Sequence, residues 1–269
     1  MANEDESGVD DLEPEADNGD DIALRPGANA DDQADVDRYI RPEVRALYDV
    51  YSYRHAAGIL ANSYPRELEE IQTALLDFRI TKKDIGTPGG NESVIPKKFS
   101  HTLRPAGWVE TRIQGDLLVR LQEYDEKPQS GGKMKKVKRA DGEPRIIANF
   151  IDGHKIDYVK GRVAFDMEWN SKDQTFDRDL YALRAFHECG LISAGVMVTR
   201  SASLNHVFDH VPQLNKAGEE VGKTVRTKYG ASTTWMGKLL YRLNAGRHGG
   251  CPVLVFGITP KLIEDWNEQ

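Results

Sequence analysis

The sequence is poor in cysteine and has no long apolar segment. Its only two cysteines, Cys189 and Cys251, do not form a CxxC pair, which indicates inert thiols in a reducing compartment rather than a disulfide framework. No stretch approaches the roughly 20 apolar residues that a membrane-spanning helix needs. The N-terminus also lacks the basic and apolar pattern of a secretion signal. We therefore expect a cytoplasmic protein that does not enter a membrane.

Motifs of several common enzyme classes are also missing. The chain has no GxGxxG, no GxxxxGK(S/T) and no GxSxG, which disfavours nucleotide hydrolysis by a P-loop and serine-hydrolase chemistry. His206 and His210 are four residues apart, but no HExxH motif or cysteine pair accompanies them, which disfavours a zinc site. Any catalysis must therefore come from other side chains.

Negative charge is concentrated at the N-terminus. The formal net charge is −7, but residues 1–37 alone hold 14 Asp or Glu and one Arg. The remaining residues carry 35 basic and 29 acidic side chains, so the body of the protein is mildly basic. We expect residues 1–37 to be a disordered acidic tail, because they have too few apolar side chains to offset the entropy of ordering. Residues 38–269 are expected to form the folded domain, and its charge suits either a polyanionic partner or an ordinary mixed surface.

Hydrophobic periodicity predicts an α/β fold, with a mixed central sheet that helices flank. Helices are expected over residues 42–57, 65–78, 173–189 and 235–243, the last capped by Ser232 or Thr233. Strands are expected over residues 146–159, 163–169, 191–199 and 252–259, and residues 110–123 form a strand or a mixed element. Residues 84–95 and 127–139 are rich in glycine or polar residues, which is typical of loops.

Two carboxylates share one face of the strand predicted over residues 163–169. Side chains alternate along a strand, so Asp166 and Glu168 lie on one face and the large apolar residues lie on the other. This alternation also describes a strand whose polar face is simply solvated. The spacing alone leaves both interpretations open.

A third carboxylate, Asp157, precedes this strand by a short turn. If residues 160–161 form a two-residue turn, Asp157 faces Ala164 and lies one diagonal step from Asp166. A slip of one residue would turn Asp157 to the other face. In the register without a slip, three carboxylates point into one small volume.

Such a cluster predicts a metal site that hydrolyses phosphodiesters. Carboxylates this close repel one another unless a cation is present. Mg²⁺, or Mn²⁺ in its place, prefers oxygen ligands and completes its shell with water and a substrate phosphate. The ion can lower the pKa of a bound water and stabilise charge on the phosphodiester. Asp157, Asp166 and Glu168 are therefore the candidate catalytic and metal-binding residues.

The acidic residues and their surroundings resemble a known nuclease family. Asp157, followed nine residues later by Asp166-x-Glu168, resembles the core of the PD-(D/E)xK nucleases. The run IDYVKGRVAFDMEWNSKDQTFDRDL more narrowly resembles the BglII/BstYI family of type II restriction endonucleases, as do VIPKKF, GVMVTR and residues 232–259. The resemblance covers roughly residues 42–263, and its most specific part is the acidic hairpin with the helix that follows.

The resemblance implies a restriction-endonuclease-like fold and a homodimer that wraps duplex DNA and cuts palindromic sites with Mg²⁺. It also implies a cognate DNA methyltransferase that protects the host DNA. Asp157 corresponds to the bridging metal-ligand aspartate, and Asp166 to the first acidic residue of the second strand. Glu168 stands where the wider superfamily has lysine, so another group must help to activate the attacking water. Glu70 lies in a helix that resembles the family's helix beside the active site, and is a candidate fourth metal ligand or an ordinary exposed glutamate.

Eleven further residues are candidate DNA contacts, because they offer hydrogen bonds or positive charge. They lie beside the acidic strand, on the helix that follows it, at the end of a buried strand, or in the candidate recognition loop over residues 223–238. They are Asn170, Ser171, Lys172, Arg178, Arg200, Ser201, Lys228, Ser232, Thr233, Thr234 and Lys238. A helix that starts at residues 232–234 would also offer free backbone N–H groups to a phosphate. Surface solvation explains several of the charged residues nearly as well.

Three other functions are compatible with the sequence. One is a nuclease of the same superfamily that acts in DNA repair or junction cleavage. The second is a DNA-binding module without catalysis, for which the missing lysine at position 168 is the argument. The third is a structural protein that does not bind nucleic acid, which predicts no salt-dependent DNA binding. Cleavage of one short palindrome that methylation abolishes would favour restriction over all three.

Overall fold

The computed structural model describes residues 27, 30–88, 94–230 and 232–267. Its helices are α1 (Gln33–Tyr39), α2 (Pro42–Leu47), α3 (Ala56–Ser63), α4 (Pro65–Asp77), α5 (Lys82–Gly86), α6 (Val94–Leu103), α7 (Thr175–Glu188), α8 (Asn205–Phe208) and α9 (Met236–Asn244). Its strands are β1 (Tyr48–Tyr53), β2 (Val109–Arg112), β3 (Gly115–Val119), β4 (Tyr124–Pro128), β5 (Met134–Lys138), β6 (Arg145–Ile151), β7 (Lys155–Lys160), β8 (Val163–Met167), β9 (Ala194–Arg200), β10 (Pro212–Leu214), β11 (Glu220–Thr224) and β12 (Val253–Ile258). None of the described helices has the length and apolar character needed to cross a membrane.

A mixed sheet of six strands forms the centre of the fold, in the order β1-β12-β9-β8-β7-β2. The middle strands β12, β9 and β8 are parallel, whereas β1, β7 and β2 run antiparallel to their neighbours. Both β9 and β12 are buried along their whole length, as expected where helices cover both faces of a parallel sheet. The predicted α/β fold, with a mixed central sheet and flanking helices, is confirmed.

The two faces of the sheet pack against different sets of helices. Val163 and Phe165 of β8 belong to a core cluster with residues of α1 to α6. Ala164 belongs to a second cluster, which contains residues of α7 and α9. Because side chains alternate along a strand, Asp166 lies on the same face as Ala164 and points toward α7. The acidic face of β8 is therefore inside the protein.

Helix α7 confirms the helix predicted over residues 173–189. Its apolar stripe is buried, and the stripe contains Phe176, Leu180, Leu183 and Phe186. The helix ends just before Gly190, whose φ of 70° is the left-handed conformation that often follows a helix.

The helix predicted over residues 42–57 is wrong in its middle, where the chain forms the edge strand β1. Tyr48 and Val50 are buried in alternation with half-buried residues. The strand pairs antiparallel with β12. This pairing joins residues about 200 positions apart, so a tertiary contact overrides the local helical pattern.

Residues 115–151 form two antiparallel pairs outside the six-stranded sheet, β3 with β6 and β4 with β5. Residues 127–139, predicted as a loop, therefore contain β5 and the turn before it. The side chains of this hairpin are mostly exposed, so it shows no apolar alternation that would indicate a strand. Residues 84–95, also predicted as a loop, include the end of α5 and the start of α6, and residues 89–93 lie outside the described residues.

The folded part begins before residue 38, so the expected boundary of the acidic tail was placed too late. Helix α1 starts at Gln33, and the side chain of Asp32 accepts a hydrogen bond from its first turn. Val36 is buried in the core, and Ala30 forms a bridge with Tyr53. Residues 1–26 of the predicted tail lie outside the described residues.

Candidate active site

Strand β8 carries two of the candidate carboxylates at its C-terminal end. Asp166 lies within the strand and Glu168 directly follows it, with its backbone N–H donating to the carbonyl of Val198 at 2.9 Å. The two residues are only 6% and 8% exposed. The interpretation of this face as a solvated strand face is therefore wrong.

Strand β7 places Asp157 opposite Asp166. Val159 pairs with Ala164, which puts the turn at residues 161–162, one residue later than predicted. The first turn residue is a glycine with a φ of 54°, as a tight hairpin favours. The register differs from the predicted one by two positions, an even number, so Asp157 keeps its expected face. Asp157 lies close enough that its charge adds to burial in raising the pKa of Asp166.

Helix α7 adds a carboxylate that sequence reasoning missed, Asp179. Its side chain is 1% exposed, and after burial its charge is the next cause that raises the pKa of Glu168. The signal was present in the sequence, because Asp179 follows Phe176 by three residues and precedes Leu183 by four, on the apolar stripe of the helix. A charged residue at such a position is rarely buried without a partner or a task. We call Asp157, Asp166, Glu168 and Asp179 the acidic cluster.

Burial and mutual repulsion raise the pKa values of three carboxyl groups in the acidic cluster. Burial raises the pKa of Asp166 well above its ordinary range, and the charges of Asp179, Asp157 and Glu168 add to this rise. Burial and then the charge of Asp179 raise the pKa of Glu168 to about 8. Burial raises the pKa of Asp179 to about 6, although the neighbouring Arg178 acts in the opposite direction. The cluster thus retains protons at neutral pH and favours any cation that replaces them.

The acidic cluster fits a hard divalent cation by its charge and its oxygen donors. In the described part of the chain, no group of three or more His, Cys, Asp or Glu side chains is already arranged to hold a metal ion. Mg²⁺ sites that act on phosphates do not need three protein ligands. They use one or two carboxylates and leave the other positions to water and substrate. The Oδ2 atom of Asp179 is buried and has no hydrogen-bond partner among the described residues. A bound cation would neutralise the negative charge on this unpaired carboxylate oxygen and on the neighbouring carboxyl groups.

Glu70 is engaged by other side chains. Lys160 Nζ lies 2.6 Å from both of its carboxylate oxygens. The indole N–H of Trp108 donates to Oε2 at 2.9 Å. Although burial acts in the opposite direction, hydrogen bonds from Lys160 and Trp108 lower the pKa of Glu70. Glu70 is therefore not an ordinary exposed glutamate, and these partners argue against its being the fourth metal ligand.

Two segments predicted to contact DNA meet beside the end of β8. Residues 170–172 and residues 232–234, which we call the joined loops, are connected by an antiparallel bridge. Ser171 and Thr234 also form two hydrogen bonds, of 2.9 and 3.2 Å. The predicted cap at residues 232–233 is wrong, because α9 begins at Met236 without a side-chain cap. The joined loops therefore do not offer the N-terminus of a helix.

The exposure of these candidates differs from residue to residue. Lys172 and Ser232 are exposed, Thr234 is buried, and four are half-buried, namely Asn170, Ser171, Thr233 and Lys238. The side-chain Oδ1 of Asn170 is buried and has no hydrogen-bond partner in the described part of the chain. Asn170 thus has an unused acceptor close to the acidic cluster.

Arg200 lies beneath the joined loops and is only 1% exposed. Its Nε donates to the carbonyls of Trp169 at 2.8 Å and Thr234 at 3.0 Å. Its guanidinium lies over the rings of Phe208 and Tyr229, and burial lowers its pKa to about 10. Arg200 therefore joins the two loops from inside, and the predicted direct contact with DNA does not fit this position.

Ser201 and Lys228 are also directed away from the joined loops. Ser201 is 2% exposed, and its hydroxyl donates to the carboxylate of Asp49. Lys228 Nζ donates to the carbonyl of Thr87 at 2.7 Å, and burial lowers its pKa. Both side chains use their polar atoms within the protein, so neither is placed as predicted for a DNA contact.

The chain matches a family model described as restriction endonuclease BglII/BglIII, over residues 48–258. This range begins with the first residue of β1 and ends with the last residue of β12, and it contains the whole acidic cluster. No curated protein matches the chain. The matched sheet and its buried carboxylates define a nuclease of the restriction-endonuclease-like class. The chain belongs to the BglII/BglIII family of restriction endonucleases, so it is a type II, site-specific deoxyribonuclease that acts on double-stranded DNA.

We expect Glu70→Gln to lower thermal stability while leaving the metal-ion dependence of DNA cleavage close to that of the parent. Without the carboxylate, the largely buried ammonium group of Lys160 loses its counter-charge, which costs about 1 to 3 kcal/mol. Melting temperature and cleavage rate across a Mg²⁺ titration measure the two effects. Glu69→Gln is the control, because Glu69 is half-exposed and pairs with a half-exposed arginine. A raised Mg²⁺ requirement at unchanged stability would instead make Glu70 a metal ligand.

Proposed function

We propose that the acidic cluster hydrolyses phosphodiester bonds in both strands of a short palindromic DNA site, and that the reaction requires Mg²⁺ or Mn²⁺. The observation that carries this proposal is the burial of Asp166, Glu168 and Asp179 beside the exposed Asp157, at the end of a central strand. Burying three carboxyl groups together costs stability. A metal-dependent site gives a reason for that cost.

The residues of the acidic cluster take different roles in this proposal. Asp157 and Asp166 hold the ion, and Glu168 contacts it directly or through a water. When bound, the ion lowers the pKa of a water and stabilises the charge that develops on the phosphate. Glu168 orients the attacking water and accepts its proton at a carboxylate oxygen, a role open to a carboxylate within hydrogen-bond reach of that water. No lysine stands at this position to do so.

The joined loops are the proposed surface for the DNA next to the scissile bond. Lys172 and Ser232 are exposed there and suit phosphate contacts, and the amide of Asn170 suits a base edge or a phosphate. Lys238 of α9 and Arg178 of α7 are two further proposed DNA contacts. Contacts of this kind make binding weaken as the salt concentration rises.

Cutting both strands of a palindrome at equivalent positions calls for two acidic clusters related by a two-fold axis. We therefore propose that the protein acts as a homodimer, which light scattering with and without DNA would test. A methyltransferase that modifies the same site is the proposed functional partner in the cytoplasm. Methylation of the cleaved sequence should then abolish cleavage.

Digestion of unmethylated phage DNA tests the proposed function. The parent protein should yield discrete fragments with Mg²⁺ and none with EDTA, and sequencing of the fragment ends identifies the site. Asp166→Asn should yield none under either condition. Cleavage that persists in EDTA contradicts the metal dependence. Cleavage that depends on branched or damaged DNA structure, rather than on one DNA sequence, indicates a repair nuclease.

A further inference from the structure

An arginine of helix α7 contacts the acidic cluster. Arg178 Nη2 lies 2.9 Å from Asp179 Oδ1 and 3.5 Å from Glu168 Oε1, and its Nε lies 3.0 Å from the same Asp179 oxygen. Among the described residues, Arg178 is the only Lys or Arg that forms an ion pair with a member of this cluster. The cluster therefore contains one cationic group among four carboxylates.

The two members of the Arg178–Asp179 pair differ in burial. The side chain of Asp179 is 1% exposed, whereas that of Arg178 is 62% exposed. A buried carboxylate thus holds one edge of an exposed guanidinium against the cluster. Within the described residues, neither N–H of Nη1 donates a hydrogen bond. Nη1 is therefore free to donate to a ligand, whereas Nη2 already contacts both Asp179 and Glu168.

The charge of the acidic cluster creates a problem for an anionic substrate. Four carboxylates repel a phosphodiester, and one divalent ion offsets only part of their charge. A guanidinium at the edge of the cluster reduces the remaining negative charge. Its planar set of donors also matches the oxygens of a phosphate, and it keeps its proton throughout the working pH range.

We propose that Arg178 is a catalytic residue that contacts the scissile phosphate, and that Asp179 is the positioning residue that holds it there. This inference rests on the proposed function of the acidic cluster. Arg178 donates from Nη1 to a non-bridging phosphate oxygen and stabilises the charge that develops as water attacks. Asp179 keeps Nε and Nη2 in place, so that Nη1 faces the substrate.

The experiment compares Arg178→Ala and Arg178→Lys with Arg184→Ala. Arg184 lies six residues later on α7 and forms an exposed ion pair with Glu188, so it controls for loss of a helix cation. We measure the single-turnover cleavage rate with the protein in excess over cognate duplex, and the Kd for the same duplex without a divalent ion. Circular dichroism and melting temperature verify that each variant folds.

Arg178→Ala should lower the single-turnover rate about 100-fold or more, the effect of removing one donor to a developing charge, while its Kd rises less than about tenfold. Added guanidinium ion should restore part of the cleavage rate of Arg178→Ala. It should restore none of the cleavage rate of Asp166→Asn. Arg178→Lys should lie between the parent and Arg178→Ala, because lysine supplies charge without the planar fork. Arg184→Ala should match the parent. A parental rate for Arg178→Ala, or a loss that guanidinium does not restore, overturns the catalytic role.

Asp179→Asn separates positioning from other roles. In the parent, the substitution should lower the cleavage rate, because Arg178 loses the carboxylate that holds it. In the Arg178→Ala background, the substitution should cause little further loss of rate, since the arginine that Asp179 positions is already absent. A full additional loss in that background overturns the positioning role. A parent protein that does not cut at all is a failure of the proposed function, and it is visible before any variant is compared.

Discussion

Asp166→Asn is expected to lower the single-turnover rate of DNA cleavage on the order of 10³-fold at saturating Mg²⁺. The amide can still accept the hydrogen bond that the backbone N–H of Met167 donates at 2.9 Å, so the local shape is kept. One charge is lost from the acidic cluster, and with it part of the hold on the ion. A catalytic metal ion supplies several kcal/mol of transition-state stabilisation, and each 1.36 kcal/mol corresponds to a factor of ten in rate.

The same substitution is expected to stabilise the metal-free protein by about 1 to 2 kcal/mol, a size typical of stabilising changes at functional sites. Burial and the neighbouring carboxylates raise the pKa of Asp166, so its ionised form is unfavourable in the folded protein. A neutral amide removes that repulsion. Thermal unfolding in EDTA at pH 8 measures the gain, and the loss of activity should accompany it.

Asp177→Asn is the matched control for both effects. Asp177 also lies on α7, but it is half-exposed and forms ion pairs with Arg242 and Arg247. Although partial burial acts to raise its pKa, the hydrogen bonds from these two arginines lower it. Its amide variant should cut at close to the parental rate and lose a little stability. An Asp166→Asn protein that cuts within tenfold of the parent would contradict the assignment of Asp166 to the metal site. Reduced stability of Asp166→Asn in EDTA would contradict the repulsion in the cluster.

The metal-free protein is expected to lose several degrees of melting temperature between pH 6.5 and pH 8.5. Burial and the charge of Asp179 raise the pKa of Glu168 from its ordinary 4.5 to about 8 in the folded state. A raised pKa means that the folded state holds a proton that the unfolded chain releases at lower pH. Its contribution to stability is therefore complete below about pH 4.5 and is lost as the pH rises through about 8. The slope is about 1.4 kcal/mol per pH unit for each such proton.

The pH window excludes the effects of two titrating groups outside the acidic cluster, His248 and Cys251. Burial lowers the pKa of His248 from its ordinary 6.5, so its effect on stability is confined to lower pH. Burial raises the pKa of the Cys251 thiol from 9.0 to about 12, so its effect on stability begins above the window.

Glu168→Gln should flatten the fall in melting temperature between pH 6.5 and 8.5. The control Glu188→Gln, which removes a charge from an exposed ion pair on α7, should not. Mg²⁺ should stabilise the parent more at pH 8.5 than at pH 6.5, because it replaces protons that are then absent. An equal effect at both pH values would contradict this linkage.

The central strands could be read from the sequence because their environment leaves a local signature. The apolar run over residues 191–199 marks β9, which is buried on both faces. Alternation over residues 163–169 correctly placed Asp166 and Glu168 on one face. The turn was predicted one residue too early, which shifts the register by two positions, so Asp157 still lies on that face. Segments without such a signature were misread, namely β1 at the sheet edge and the exposed β4–β5 hairpin.

Individual side chains in the site were harder to assign than the strand that carries them. Arg200 and Arg178 look alike in the sequence as isolated arginines. Arg200 is buried under the joined loops, and Arg178 is exposed at the acidic cluster. Glu70 is held by a lysine from β7, 90 positions away. Which of these groups meets which partner depends on how helices pack on the sheet, and local pattern does not encode that.

By itself, the sequence determined the α/β class, the face of β8 that carries the carboxylates and the three acidic residues of the hairpin. Periodicity suffices for these features, since it reports the geometry of a strand within a few residues. Only the tertiary structure decided that this acidic face is buried and that Asp179 and Arg178 join it. Those contacts arise when α7 packs against the central sheet, and the raised pKa values follow from that burial. Burial and charge coupling depend on residues that are distant in sequence, so they become visible only after the helix is placed on the sheet.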